Sequence, residues 1–522
     1  MAPFEVNVVS YALGAAGIVF ALWLCCRVRW VQAVNKLPRR AASWRSCWLG
    51  DLAEFWHAPP VPGTSQPDAL PLLARWAAQL NKGGHGLGVL WLFNPKLLPF
   101  ARPLVLVWDP ELVREVLEPQ NYGKFQKGNF YSVAEPLLGK GVLSAGDGPS
   151  WTFQRHLAQQ GFGPRVLDDV IPTVKAALDY LFTTWDELAS KNELVRVQAD
   201  MRHLALDVFG KLVLDYEFGA LEGARKAPLC AALDCMLEVF DKLGRASPFL
   251  RWLIEGPRFN RALAEVDALA LELLGRAQRG EPAAACLLSH LAWGMKGREG
   301  REPVLGQRLV LENLKTFLLT GHDTVASSLA WALWLLASHS SAQGRLQQEV
   351  DKFFEDAEAS GEVLGCSAFR KLPFLDAVVK ETLRLYPAMA IARAPVRDIE
   401  LGPTSRGGEP YVVPRGCDLL VLPSLIHRDE SQWPQPDSFD PARWLDKGNT
   451  RSCAYLPFGF GRRSCVGQEF AMTEIRSVLA YIVRRYQLRC DDAGPEPRPV
   501  WCFNISPSPF SLRLERRSRE RA

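Results

Sequence analysis

The chain has 522 residues, 48% of them hydrophobic and 23% charged, enough to bury an extensive core. A formal net charge of +4 is too small to argue for a nucleic-acid partner. The 12 cysteines show no paired spacing of a disulfide framework or zinc site, which points to a reducing compartment.

Residues 8–26 form an uncharged apolar run of about 19 residues, long enough to span a bilayer. Arg27, Arg29, Lys36, Arg39, Arg40 and Arg45 follow with no acid before Asp51. The positive-inside rule then makes residues 1–27 a single-pass membrane anchor and 28–50 a basic juxtamembrane linker, with the large domain of residues 51–522 on the cytosolic side. A cleaved signal peptide would carry its charges ahead of a shorter apolar core. Helical patterns run over about 165–300 and 305–395, with strand-like runs near 104–107 and 411–413.

In the second helical region, Phe317-Leu-Leu-Thr320-Gly321-His322-Asp323-Thr324 places a polar interruption in an apolar stretch. Residues 318–337 match a membrane span in length, about 20 residues, but His322 and Asp323 make insertion costly. Taken alone, Asp323 and Thr324 read as local helix capping. Glu381 and Arg384, at i,i+3 spacing, share one helical face, and Pro387 ends that helix. His156 and His427 stand singly in polar, charged stretches and read as surface residues. Asn504-Ile505-Ser506 is a glycosylation sequon, which on the cytosolic side would never meet the transferase.

The most informative segment is Phe458-Gly-Phe-Gly461-Arg-Arg463-Ser-Cys465-Val-Gly467, which leads into a helix from about Gln468. Gly459, Gly461 and Gly467 permit positive φ and a close approach to a flat partner. A cysteine before a helix start lies among unpaired N–H groups, which lower its pKa and favour the thiolate. Arg463 can meet a carboxylate of a bound cofactor, and Phe458 can pack on its ring face.

The pattern Phe-x-x-Gly-x-Arg-x-Cys-x-Gly resembles the haem-binding loop of the cytochrome P450 family, at Phe458, Gly461, Arg463, Cys465 and Gly467. The resemblance covers roughly residue 50 to the end, weakly between 160 and 300. It implies a mainly helical fold with a smaller β-rich lobe, one unusually large unit, preceded here by the transmembrane helix. It also implies haem b (iron protoporphyrin IX) ligated by the Cys465 thiolate, whose electron donation favours O–O cleavage. Lys380-Glu381-Thr-Leu-Arg384 resembles the family's Glu-x-x-Arg helix, and Phe439-Asp-Pro441-Ala-Arg443-Trp444 its meander, with Arg443 joining Glu381 and Arg384 in a buried network.

The segment around Gly321 is similar to the long distal helix, with Thr324 as inner and Asp323 as outer proton relay for dioxygen cleavage. Its Gly-His-Asp-Thr core resembles the fatty-acid hydroxylase group, where the preceding position often carries a Glu bonded covalently to haem. Thr320 stands there, so non-covalent haem is expected; separately, Val325 replaces the usual Thr or Ser after Thr324. Trp151 and Arg155 resemble the family's Trp-x-x-x-Arg helix, and with Arg393 and Arg463 would donate to the haem propionates.

The implied activity is insertion of one atom of O2 into a lipophilic substrate, a fatty acid, sterol or terpenoid. Phe317, Leu318, Ala388, Met389, Ala390 and Ile391 are candidate lining. Electrons would come from a separate NADPH–cytochrome P450 reductase, with cytochrome b5 as a further partner, at the endoplasmic reticulum membrane. Two alternatives are a haem-thiolate isomerase or dehydratase acting on peroxides without O2 or reductase, and a non-catalytic haem-binding protein.

Overall fold

The computed structural model describes residues 24–39, 61, 69–81, 85–91, 103–128, 135–222, 231–236 except 234, 248–296 except 284, 305–445 except 362 and 405–408, 453–491, and 493–517 except 502 and 503. The proposed membrane anchor falls almost wholly outside these residues. Among the described residues, no helix is long and apolar enough to cross a membrane.

The chain forms two compact units. The smaller comprises residues 1–59, 69–129 and 391–422. Its five-stranded sheet has the order β1-β2-β8-β5-β3, from β1 (Leu87–Trp91), β2 (Pro103–Val107), β8 (Asp418–Val421), β5 (Ile391–Pro395) and β3 (Phe125–Lys127). Only β2 and β8 run parallel, in the register Leu104 to Asp418. The hydrophobic runs of β2 and β8 suit a sheet covered on both faces. A second hairpin pairs β6 (Ile399–Leu401) with β7 (Tyr411–Val413). Helices α1 (Ala69–Asn81) and α2 (Pro110–Leu117) belong to this unit. Helix α2 begins where Asp109 accepts from the Glu111 and Leu112 amides, with Pro110 in the first turn.

The larger unit is helical and holds the apolar core. Its main helices are α3 (Pro149–Gly161), α4 (Val170–Ser190), α5 (Val197–Phe209), α6 (Pro248–Arg279), α7 (Leu287–Lys296), α8 (Gln307–Thr320), α9 (Asp323–Ser338), α10 (Ser340–Ser360), α11 (Pro373–Leu385) and α12 (Gln468–Arg485). A three-stranded sheet orders β4 (Leu194–Val195), β12 (Leu512–Arg516) and β9 (Tyr486–Cys490), while β10 (Pro499–Trp501) pairs with β11 (Ile505–Pro507). The distal stretch is therefore two helices, interrupted at Gly321 and His322. A Cβ on Gly321 would lie 2.2 Å from the Phe209 ring, so α5 approaches the break closely only because position 321 has no side chain.

Glu381 is fully buried and organises the segment after α11. Its carboxylate accepts from Arg384 Nε and Nη2, both at 2.9 Å, Arg443 Nε at 3.0 Å, Trp444 Nε1 at 2.8 Å and the Asp440 amide at 3.0 Å. The expected network of three is thus widened by an indole and a backbone N–H. Arg384, also fully buried, uses its remaining donors on the carbonyls of His427, Pro436 and Ser438. A buried ion pair is tolerable only when its polar atoms are satisfied this completely.

His427 corrects its reading as a surface residue, because it is fully buried. Its Nδ1 lies 3.0 Å from the Arg384 carbonyl and must donate, so Nε2 is the acceptor for the Leu456 amide at 2.9 Å. Burial pushes the imidazole down to about 3, which keeps it neutral for this bridge. His156 is exposed as expected.

Replacing Glu381 by Gln leaves buried guanidinium groups without their counter-charge and should cost about 3–5 kcal/mol of stability. Trp444→Phe, which removes one donor to a charged acceptor, should cost about 1.5–3 kcal/mol, with both losses read by urea titration. Glu474 on α12 makes a second prediction. It is fully buried, and among the described residues neither carboxyl oxygen has a hydrogen-bond partner. Burial alone pushes its pKa well up, so the folded chain holds a proton that the unfolded chain releases above about pH 4.3. Stability must then fall as pH rises through that window, by up to about 1.4 kcal/mol per pH unit. Thermal midpoints of Glu474→Gln should exceed those of the wild type by a margin that widens with pH; a constant margin would show a partnered carboxylate.

Candidate haem-thiolate site

The cysteine loop is built by two glycines. Gly459 and Gly461 take φ of +73° and +75°, the left-handed region that side chains resist, and a short 3-10 turn spans Gly461–Arg463. Gly467 differs from expectation: its φ is −92°, and a Cβ there would make only ordinary contact with Phe162. The Cys465 amide donates to the Phe458 carbonyl at 2.8 Å, and the Gly459 amide to Leu456 at 3.1 Å. The Cys465 side chain is exposed on one side of this hydrogen-bonded frame and crowded by protein on the others.

Its thiol runs against the sequence expectation. Desolvation by the surrounding protein pushes the pKa up, outweighing the Gly467 amide and the Arg155 charge, which pull it down. The favourable helix-start donors are present, but they are not enough by themselves to ionise the sulfur. A thiolate here needs a cation against it, as a metal supplies.

Arg155 reaches the loop from α3, donating from Nη1 to the Ser464 carbonyl at 2.6 Å. Its Nε is buried and has no partner among the described residues. Arg463 is more committed: Nε donates to Asp147 at 2.7 Å, Nη2 donates to the Ala145 carbonyl at 2.8 Å, and the guanidinium lies 4.2 Å over the Trp151 ring. The Trp151 indole donates to the Val142 carbonyl at 3.1 Å, inside the protein. Of the predicted anion donors, Arg155 keeps an N–H without a partner among the described residues, while Trp151 and Arg463 donate to acceptors of the protein. Phe458 is half-buried against the core. Arg393 lies on β5 in the smaller unit, buried, with Nη1 on the Ala392 carbonyl at 2.9 Å.

On the other side of the site, Thr320 and Thr324 are half-exposed while residues 325–333 are buried. Thr316, Thr320, Thr324 and Ser328 stand at i,i+4 spacing, and each hydroxyl donates to the carbonyl one turn back, at 2.8, 2.8, 3.2 and 2.9 Å. Such back-bonding loosens a helix and here brackets the break. Phe317 and Leu318 are buried in the apolar core, with Phe317 packed on Phe162. Asp323 is buried, its Oδ1 3.2 Å from Arg202 Nε on α5, an ion pair without an aligned N–H···O bond. No motif marked Arg202, because its partner lies more than a hundred residues away.

Aromatic rings join the two sides. Phe162 packs on Phe317 and Phe470, at 6.0 and 5.8 Å between centroids, and Phe209 on Phe470 at 6.3 Å. Phe209 touches Gly321 and Phe162 faces Gly467, so the end of the cysteine loop and the helix break flank one cluster. An exposed thiol, a buried guanidinium N–H without a partner among the described residues, and an alcohol beside a buried acid at the start of a buried helix fit a flat iron macrocycle with carboxylate arms.

The Cytochrome P450 family model matches residues 95–514. The mouse protein named leukotriene-B4 omega-hydroxylase 3 is 29% identical over 443 residues, covering 80% of this chain and 80% of the relative. Human cytochrome P450 4F8 is 28% identical over 508 residues, 92% of each chain. The crystal structure of the cytochrome P450DA heme domain superposes with a TM-score of 0.76 at 23% identity, covering 92% of this chain and 98% of that one, a likeness of fold. The chain belongs to the cytochrome P450 family, a haem b monooxygenase whose relatives are of the fatty-acid hydroxylase group.

Proposed function

We propose that this monooxygenase inserts oxygen into a long-chain, fatty-acid-like substrate, with Cys465 as iron ligand and Asp323 and Thr324 delivering protons. The observation that carries the reading is Thr324, half-buried at the start of a buried helix, beside a buried acid paired to Arg202. Haem supplies the electron-rich iron on which dioxygen is activated. Arg155 would hold a propionate with its unpaired Nε, and Arg463 and Trp151 would close that side.

Thr324 spends its proton on the Thr320 carbonyl, so its oxygen lone pairs can accept a hydrogen bond from the reacting group and hold it for protonation. Asp323 is shielded from bulk water, while the Arg202 side chain is 32% exposed and connects it to the surface. Release of Asp323 from Arg202 would let the carboxylate carry a proton inward. Thr320 offers a hydroxyl already bonded to Thr316, with no carboxyl to esterify, which supports non-covalent haem.

Half-exposed Ala388, Met389 and Ala390 supply an apolar surface for a hydrocarbon chain. The name of the mouse leukotriene hydroxylase supports an acid-bearing lipid as the substrate class. NADPH–cytochrome P450 reductase is the expected electron donor, with cytochrome b5 as a second partner. The apolar run at 8–26 with its basic flank would anchor the chain to the endoplasmic reticulum membrane, catalytic domain in the cytosol.

Reduced, CO-bound protein should give the far-red Soret band of a thiolate-ligated haem, and Cys465→Ser should lose it; a wild type without that band would remove the iron-ligand assignment. With reductase, NADPH and dodecanoic acid, Asp323→Asn should slow product formation by about 10²-fold. Thr324→Val should instead keep NADPH consumption while diverting it to hydrogen peroxide. Turnover of a lipid hydroperoxide without NADPH, and none of dodecanoic acid with it, would establish the isomerase alternative.

A further inference from the structure

The sequon at Asn504 has a different use. Asn504 is 1% exposed, which removes it from any glycosyl transfer, and its amide is occupied on both sides. Nδ2 donates to the Asp323 carbonyl at 3.1 Å and to Ser327 Oγ at 3.0 Å. Oδ1 accepts from Ser506 Oγ at 2.6 Å. Ser506 has only one hydroxyl proton and spends it on Asn504, so the 2.9 Å contact between Ser506 and Ser327 has Ser327 as donor. The three side chains close a ring of hydrogen bonds, each hydroxyl donating once and accepting once. The ring also settles the amide's orientation, since only Nδ2 can face the Asp323 carbonyl.

This ring sits between two parts of the site. Asn504 and Ser506 flank Ile505, whose amide donates to the Ala388 carbonyl at 2.8 Å, in the apolar segment offered to the substrate. Their other contact is the first turn of α9, at the backbone carbonyl joining Asp323 to Thr324. That turn follows the helix break, where two of the four back-bonding hydroxyls stand and the usual ladder is interrupted. The Asn504 amide thus ties that turn from outside the helix, at the end where the first backbone amides lack intrahelical partners.

We propose that Asn504, held by Ser506, is a positioning residue that fixes the first turn of α9, and with it the Asp323–Thr324 proton relay, from the β10–β11 hairpin. The inference rests on the monooxygenase reading above. Without the clamp, proton delivery loses its direction. Two electrons from NADPH and two protons then leave with dioxygen as hydrogen peroxide, in place of one oxygen atom entering a C–H bond and the other leaving as water.

The test uses the full-length haem protein with reductase, NADPH and dodecanoic acid as probe, comparing Asn504→Ala, the near-isosteric Asn504→Asp, Ser506→Ala and Ser506→Thr. Amide hydrogen exchange over residues 321–329 should quicken about tenfold in the first three, the loss expected for one hydrogen bond, with other core peptides unchanged. The peroxide share of consumed NADPH should rise severalfold in the same variants, and Ser506→Thr, which keeps the hydroxyl, should restore both. Unchanged exchange in variants that bind haem normally overturns the clamp. Faster exchange with an unchanged peroxide share reduces Asn504 to a structural contact and overturns its positioning role. A wild type that consumes no NADPH with reductase fails the underlying reading instead, and is recognised before any variant is compared.

Discussion

A buried carboxyl group must find donors or keep its proton, as Glu474 does, and Glu381 finds five. Two guanidiniums, an indole and a backbone amide converge on it from α11 and from residues 440–444. The consequences run outward to the iron ligand. Arg384 holds the carbonyls of His427, Pro436 and Ser438; His427 in turn bonds the Arg384 carbonyl and the Leu456 amide; Leu456 accepts from Gly459; and Phe458 accepts from Cys465. An unbroken series of short contacts therefore connects one buried acid to the cysteine loop. The neutral state of His427 belongs to this series, because a protonated ring would point a second donor at the Leu456 amide.

The opposite wall follows a different logic. A long buried helix would present a closed surface, with every carbonyl taken by its own ladder. Here Gly321 and His322 open that ladder, and side chains bond carbonyls on both sides of the break: Thr320, Thr324, His322 and Asn504 each bond one. The break is thus stabilised by polar groups that are also the candidates for chemistry. Asp323 could not be buried at this point without Arg202 from α5, and the close approach of α5 depends on the absence of a side chain at Gly321.

The two walls are also tied through α3. Asn313 on α8 bonds Gln154 on α3 and the Val142 amide, Val142 accepts from Trp151, and Arg155 one turn on bonds Ser464 in the cysteine loop. Arg155 therefore has a framework role alongside any contact with a propionate, while Arg463 is held in place by Asp147.

Much of this was legible in the sequence because local spacing encodes it. Gly459 and Gly461 around one cysteine, Glu381 and Arg384 on one helical face, and the polar interruption at His322 and Asp323 are short-range patterns, and each appears in the structure. The strands at Tyr411–Val413 and near residues 104–107 were legible for the same reason. Tertiary structure alone decided the rest. Whether His427 is inside, whether the Cys465 thiol is raised or lowered, and which residue partners Asp323 all depend on segments far away in the chain. Burial and long-range pairing set those outcomes, and both are properties of packing that no local pattern carries.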